Sequence, residues 1–134
     1  MNIDFYEVAE YIQQHVFDET VELNGVTIPL VFLQEKPVEI KDVDSYIVYK
    51  FHEVDGGRVL RHFAVSVIIN SKTVDGVYSI RQNMIEKLDF TTNKNKCPFG
   101  NGFKKFVLSN EGGVYKDDIS GYFVDKLFFD VTRT

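Results

Sequence analysis

The sequence of 134 residues has no tryptophan and a single cysteine, Cys97. Because one cysteine cannot form an internal disulfide bond, we expect a reducing compartment rather than the oxidising one of small disulfide-stabilised proteins. No stretch approaches the ~18 consecutive apolar residues of a membrane-spanning helix. The first residues, Met-Asn-Ile-Asp-Phe-Tyr, do not resemble a secretion signal. The sequence therefore predicts a soluble protein that is intracellular when it is made.

An excess of positive charge is also absent. The 15 lysine and arginine residues stand against 20 aspartate and glutamate residues, which gives a net charge of −5 at pH 7. This balance disfavours general binding to nucleic acid or to an anionic membrane as the main task. We interpret residues 90–105 as a flexible, solvated loop, with contact to an acidic partner or a nucleic-acid backbone as the alternative. This loop holds the main concentration of basic residues, Lys94, Lys96, Lys104 and Lys105.

Apolar residues are plentiful, at 44% of the chain, which is ordinary for a globular protein. The length is sufficient for one hydrophobic core. Since no internal repeat or linker is visible, we predict a single domain over residues 1–134. We expect the α+β class, with a mainly antiparallel β-sheet packed against two helices.

The centre of the predicted fold is a strand, a tight turn, a second strand and a helix. Two β-rich runs, 47–53 and 59–69, flank the sequence Asp-Gly-Gly. This is a strong turn signal because glycine adopts a positive φ without a steric clash of Cβ. Apolar residues then recur at spacings of three and four over 73–88, which predicts a helix. Thr73 or Ser71 can cap its start, and Gly76 should weaken its first turn by roughly 1 kcal/mol relative to alanine.

The length of the turn decides which faces of the two strands meet. A two-residue loop would set Lys50 opposite Phe63, whereas a three-residue loop with Gly57 in the left-handed position sets Tyr49 opposite Phe63. We favour the three-residue loop because it places the apolar residues of both strands on one face. The opposite face is mixed and rich in small residues, and can be solvated or meet another subunit. It carries Val48, Lys50, His52, His62, Ala64 and Ser66.

Shorter elements precede this centre, and a long strand follows it. Residues 3–17 predict an amphipathic helix, 20–28 a small hairpin around Asn-Gly, and 30–33 a short strand. The chain closes with an aromatic strand over 122–132. This last strand has large apolar groups on both faces, so it is either central and covered twice, or one face meets a partner.

Residues that suggest chemistry have simpler interpretations. His52 and His62 are diagonal neighbours on one face, but no third metal ligand is visible, and surface histidines are favoured. Cys97 lacks the surroundings of a known nucleophile. The glycines at 100–102 lack the context of a phosphate-binding loop, and the aspartates at 117–118 are typical of a turn. We therefore predict no catalytic residue, metal or cofactor.

The order of the elements carries a resemblance. A leading helix, a strand containing Pro29, a long hairpin, a helix ending in Lys-Leu-Asp, a Gly-Gly turn and a final strand follow one another. The most telling segments are Tyr-Ile-Val-Tyr-Lys-Phe at 46–51, Arg-His-Phe-Ala-Val-Ser-Val-Ile-Ile at 61–69 and Tyr-Ser-Ile-Arg at 78–81. Together they resemble the tail terminator proteins of long-tailed bacteriophages, also called tail completion, head-to-tail joining or minor capsid proteins.

The resemblance implies a subunit that assembles into a ring, as a hexamer, at the head–tail interface of the virion after synthesis in the host cytoplasm. The ring would cap the tail tube and present a surface to the head connector, without catalysing a reaction. DNA would pass through its lumen without specific binding, and no membrane is involved. On this hypothesis the interface candidates are Ala64, Ser66, Val124 and Phe128, together with Lys94, Lys96, Lys104 and Lys105.

Two other functions remain open from the sequence. The first is a small cytosolic α+β domain that binds or regulates a protein partner without forming a ring. The second is a small enzyme that uses Cys97 or the histidines. A stable monomer that ignores tail tubes would favour the binding domain, and loss of activity in Cys97→Ser would favour the enzyme.

Overall fold

The computed structural model describes residues 3–55, 61–89 and 103–133. Within these ranges the chain forms two helices and eight strands. Neither of the described helices has the length and apolar character that crossing a membrane requires. In chain order the elements are α1 Ile3–His15, β1 Thr20–Leu23, β2 Val26–Pro29, β3 Val31–Leu33, β4 Ser45–Asp55, β5 Arg61–Ser71, α2 Val74–Leu88, β6 Phe103–Glu111, β7 Tyr115–Lys116 and β8 Phe123–Arg133.

The central sheet has the strand order β3-β4-β5-β8-β6, and β7 pairs with the first residues of β8. All pairings in it are antiparallel except that of β3 with β4, which is parallel. The strands β1 and β2 form a separate two-stranded sheet, whose two-residue turn at Asn24 and Gly25 has positive φ angles of 53° and 79°. These are the angles of a type I′ hairpin turn. The α+β class, the mostly antiparallel sheet and the small hairpin are thus confirmed.

The hairpin of β4 and β5 shows that the predicted register is wrong. The structure pairs Tyr49 with Val67, whereas a three-residue loop would pair Tyr49 with Phe63. β4 ends at Asp55 and β5 begins at Arg61, so the connection is two residues longer than predicted. Asp55, the first residue of the predicted loop, therefore lies in β4, and the rest of that loop lies outside the described residues.

The predicted faces of the hairpin are nevertheless confirmed, because the register differs by four residues and an even shift keeps every side chain on its face. The observed register also pairs Ser45 with Ser71, and their hydroxyl oxygens lie 2.9 Å apart, so that these two buried groups are hydrogen-bonded. The conformation predicted for Gly57 lies outside the described residues. The apolar face contains Ile47, Tyr49, Val65, Val67 and Ile69, all at most 2% exposed.

Both helices pack on this apolar face. The buried stripe of α2 joins one core cluster with β5, β6 and β8, and α1 contacts β3 and joins the same cluster. The hydroxyl of Tyr11 on α1 donates a hydrogen bond of 3.1 Å to the backbone carbonyl of Lys87 on α2. The two helices are therefore neighbours in one layer over the sheet. The stripes consist of Val8, Ala9 and Ile12 in α1 and Val77, Ile80, Met84 and Leu88 in α2.

The start of α2 is fitted closely to the end of β5. The Thr73 hydroxyl accepts a hydrogen bond of 3.0 Å from the Gly76 backbone N–H, which confirms Thr73 as the N-cap. A Cβ atom at Gly76 would lie 2.3 Å from Oγ of Ser71 and 2.9 Å from Oγ1 of Thr73. Glycine therefore permits the close approach of β5 to the helix, and its helix propensity does not decide the residue at this position.

The strand β6 shows that the predicted end of the loop at 90–105 is wrong. Its nine residues run over Phe103–Glu111, so the last three residues of the predicted loop at 90–105 belong to a strand. The strand forms by pairing with β8, where Phe103 faces Arg133 and Lys105 faces Thr132. Lysine and asparagine have low strand propensity, and this long-range pairing is absent from the local pattern on which the loop was predicted. The remainder of that loop lies outside the described residues.

Candidate interaction surface

The central sheet has a second face, which points away from both helices and which we call the open face. Directly paired residues of neighbouring strands share a face, so the register assigns its members. Among the described elements, both helices pack on the other side of the sheet. The open face carries Lys50 and His52 of β4, His62, Ala64, Ser66 and Ile68 of β5, Lys126, Phe128 and Asp130 of β8, and Lys105 and Val107 of β6.

The middle of the open face is a shallow trough. Ser66 of β5 lies between Lys50 on one neighbouring strand and Phe128 on the other, and all three are partly exposed. In the next row, partly exposed Ala64 lies between the exposed residues His52 and Asp130. Because serine and alanine are small, the side chains of β5 protrude less from the sheet here than those of β4 and β8 on either side. The trough thus presents small residues beside an aromatic ring.

Of the predicted interface residues, Val124 lies at the closed end of this face. It is 5% exposed and pairs with buried Asn70. The rings of Tyr46 and Tyr122 meet edge to face with centroids 5.5 Å apart, and the Tyr122 hydroxyl donates a hydrogen bond to the carbonyl of Val43. At its start β8 is therefore covered on both faces. Further along, its even residues Lys126 and Phe128 are partly exposed.

Of the four lysines predicted as interface residues, the structure describes the side chain of one. Lys105 is exposed and pairs with Thr132, which puts it at the rim of the open face. Lys104 lies in β6, but its side chain is outside the described residues, as are Lys94 and Lys96 altogether. The structure therefore joins one of the four lysines to the surface that contains Ala64, Ser66 and Phe128.

The histidines of the open face remain diagonal neighbours in the observed register, since His52 pairs with Ala64 and His62 lies two pairs further along, where it pairs with Asp55. Nδ1 of His62 lies 3.2 Å from Oγ1 of Thr132, and the donor depends on the tautomer. Within the described ranges, no three His, Cys, Asp or Glu side chains are grouped to bind a metal ion. The candidates Cys97 and 100–102 lie outside those ranges.

The aspartates at 117–118 form the turn that the sequence predicts. Oδ1 of Asp117 accepts a hydrogen bond of 3.1 Å from the backbone N–H of Ile119, and Oδ2 accepts one of 3.0 Å from the Ser120 hydroxyl. The backbone N–H of Gly121, which has a φ of 78°, donates to the Asp117 carbonyl. Asp117 therefore organises a tight turn between β7 and β8.

An ion-pair cluster around the buried Asp125 lies on the opposite, helix-covered face, and sequence reasoning missed it. Nε of Arg81 on α2 lies 3.0 Å from Oδ2 of Asp125 on β8, and the same guanidinium lies 2.7 Å from Oε1 of Glu111 on β6. The first contact is close but not aligned for a hydrogen bond. Asp125 is 0% exposed, and its burial raises its pKa, although the Arg81 charge opposes this rise.

The cluster holds the helix to the sheet, and because Asp125 has no solvent access it cannot exchange protons with a substrate in this conformation. Its signal was present in the sequence, since Asp125 interrupts the apolar odd positions of the last strand and Arg81 interrupts the apolar stripe of the helix. A polar residue at an apolar position of each of two elements predicts that the two elements face each other.

A cavity of about 390 Å³ lies along the outer side of α2. Its described lining brings together no nucleophile and base, and the Arg81 guanidinium in it is directed to Asp125 and Glu111. It is lined by Tyr78, Arg81, Gln82, Ile85 and Glu86.

Comparison with known proteins does not extend this description. No protein-family model matches the chain, and no curated protein matches it significantly. The open face is thus the feature from which a function can be argued.

Proposed function

We propose that this chain is a structural subunit of a bacteriophage virion, which assembles into a hexameric ring, caps the tail tube and joins the tail to the head. The observation that carries the proposal is the open face. The same three long strands that are sealed by helices on one side present Ala64, Ser66 and Phe128, partly exposed, on the other. The α+β class and the order of the elements agree with the resemblance to tail terminator proteins.

The open face suits contact with another protein for a physical reason. Small residues in its middle strand allow a second backbone to approach closely, and Phe128 offers apolar area that gains free energy when water is removed from it, at about 25 cal/mol per Å². Aromatic residues are enriched at the centres of protein interfaces. The surrounding lysines and histidines form a polar rim of the kind that such interfaces have.

The proposed mechanism is recognition without a chemical step. A ring that covers the growing end of the tail tube stops its polymerisation, and its outer side then offers a new docking surface to the head connector. The net charge of −5 suits a lumen through which DNA passes, because attractive walls would slow the passage.

The test is electron microscopy of the protein mixed with tail tubes of the phage whose tail it is proposed to cap. We expect rings at one end of the tubes and an end to tube growth. A chain that stays monomeric and leaves tube length unchanged would contradict the proposal. That result would favour the alternative, a domain that uses the open face to bind one protein partner without ring assembly.

A further inference from the structure

The charges of this chain are divided unevenly along its length. Residues 1–35 contain seven of the 20 acidic residues and none of the 15 lysines and arginines. The remainder of the chain therefore has a small excess of basic residues, although the whole protein is acidic. The division is large enough that two surfaces of opposite sign can be located in the fold.

The negative surface belongs to α1 and the first strand. Four carboxylate side chains are exposed there, and no described group forms an ion pair with any of them. We call this group the acidic surface; it consists of Glu10 of α1, Asp18 and Glu19 of the following connection, and Glu22 of β1.

The positive surface is the open face. Among the side chains that the structure describes on it, Lys50, Lys105 and Lys126 stand against one carboxylate, Asp130, and the exposed His52 and His62 add no negative charge. Asp55 pairs with His62 at the hairpin end of this face, but its side chain lies outside the described residues. Within the described residues, none of the three lysines is in ion-pair contact with a carboxylate. Their charges are therefore available to a partner.

The two surfaces point in different directions. The helix α1 packs over β3 on the covered face of the sheet, so its exposed side and the open face look away from each other. One molecule cannot satisfy its own charges by this contact. A second copy can, if its acidic surface meets the open face of the first.

We infer that copies of this chain associate head to tail, with the acidic surface of one docked on the open face of the next. A two-fold symmetric contact would instead bring the lysines of one open face against those of its partner, or the carboxylates of one acidic surface against their copies, and like charges that meet in an interface repel each other. Head-to-tail contacts use both surfaces of every copy and produce a closed ring when the rotation between copies closes. The inference rests on the proposed ring and names the surface that completes it.

The test uses two variants with reversed charges. Asp18→Lys/Glu19→Lys/Glu22→Lys makes the acidic surface basic, and Lys50→Glu/Lys126→Glu makes the open face acidic. Each variant alone then presents two surfaces of the same sign, so we expect its self-association in sedimentation velocity to weaken by about 100-fold or more. An equimolar mixture should assemble again, because each variant supplies the charge that the other lacks.

A matched control for the open-face variant is Lys41→Glu/Lys72→Glu, which makes the same change in net charge at exposed residues outside both surfaces and should assemble like the unaltered chain. Circular dichroism shows whether each variant is folded. As a measurement that needs no variant, assembly of the unaltered chain should weaken as salt rises from about 0.1 M to about 1 M, over which the Debye length falls from about 10 Å to about 3 Å.

The outcomes separate the inference from the proposed function. If the unaltered chain forms rings, with or without tail tubes, but both reversed variants form them equally well, or the mixture stays monomeric, the contact lies elsewhere and the inference is overturned while the ring stands. If the open-face variant fails only in binding tail tubes and still forms rings, the basic face serves the tube protein, and the inference is again overturned. A chain that never assembles, even with tail tubes, contradicts the proposed function itself.

Discussion

The two faces of the central sheet differ in how far their side chains are exposed to water. On the covered face, β8 contacts α2 and presents Leu127 and Phe129 at 0% exposure. The ring centroids of Phe129 and Phe106 lie 5.1 Å apart. On the open face, the same strand presents Phe128, which is partly exposed and has no helix over it in the described structure. Adjacent residues of identical type therefore lie in different environments.

This difference teaches that aromatic content alone does not mark a core. Phe129 contributes to folding because water has already been removed from it in the monomer. Phe128 retains apolar surface whose burial can stabilise an assembly. The predictions below test how complete this division is.

The largest effect is expected for Phe129→Ala, which should lower the free energy of unfolding by about 3–5 kcal/mol through lost burial and a cavity. Phe128→Ala, the matched change on the other face of the strand, should lower it by about 1 kcal/mol or less. Urea denaturation of both variants measures the difference. Equal losses would show that the open face is packed as tightly as the covered one.

Arg81→Ala should come next, with a loss of about 1–3 kcal/mol, because it leaves the fully buried Asp125 carboxylate without the charge that compensates it. The exposed neighbour Gln82 provides the control, and Gln82→Ala should change stability by less than about 0.5 kcal/mol. Combining Arg81→Ala with Asp125→Asn should recover part of the loss in the same denaturation experiment. No recovery would mean that the arginine stabilises through packing of its stem alone.

Gly76→Ala distinguishes helix propensity from fit to the sheet. Propensity alone predicts a gain of roughly 1 kcal/mol, whereas the 2.3 Å approach of the added Cβ to Oγ of Ser71 predicts a loss of about 1–2 kcal/mol. Ser79→Ala, at an exposed site of the same helix, should be neutral or slightly stabilising. A stabilised Gly76→Ala variant would show that the start of α2 can move away from the sheet.

The smallest effect concerns pH. Burial raises the pKa of Asp125 above its ordinary value, so the folded protein holds this proton more tightly than the unfolded chain. Between the unfolded value of about 4 and the raised folded value, the free energy of unfolding should therefore fall as pH rises. Asp125→Asn should flatten this part of the profile, and Arg81→Ala should steepen it. Superimposable profiles of all three proteins in urea denaturation would contradict the account.

Much of this fold could be predicted from the sequence because its signals are local. The stripe of α2, the Thr73 cap and the Asn24-Gly25 turn all follow from residues within a few positions of one another. The faces of β4 and β5 were also predictable. An error of an even number of residues in the register leaves every side chain on its face. The predicted register was wrong by four residues, so the predicted faces were still correct.

What could not be predicted depends on contacts between distant segments. The parallel pairing of β3 with β4 and the full length of β6 arise from the sheet as a whole. Val124 is covered from solvent at the end of the open face where Tyr46, which lies 78 residues earlier in the chain, contacts Tyr122. Tyr122 is in turn hydrogen-bonded to Val43. The open face was predicted from Ala64, Ser66 and Phe128, and the structure leaves all three partly exposed; their role in an interface stays a prediction.

The most direct test of the central claim compares charged substitutions on the two sides of the molecule. Phe128→Asp and Ala64→Arg lie on the open face, and Tyr78→Asp replaces a half-exposed aromatic residue on the outer side of α2. Sedimentation velocity with and without tail tubes should show that both open-face variants remain folded monomers, while Tyr78→Asp assembles like the unaltered chain. Normal ring formation by Phe128→Asp or Ala64→Arg would contradict the assignment of the open face as the assembly surface.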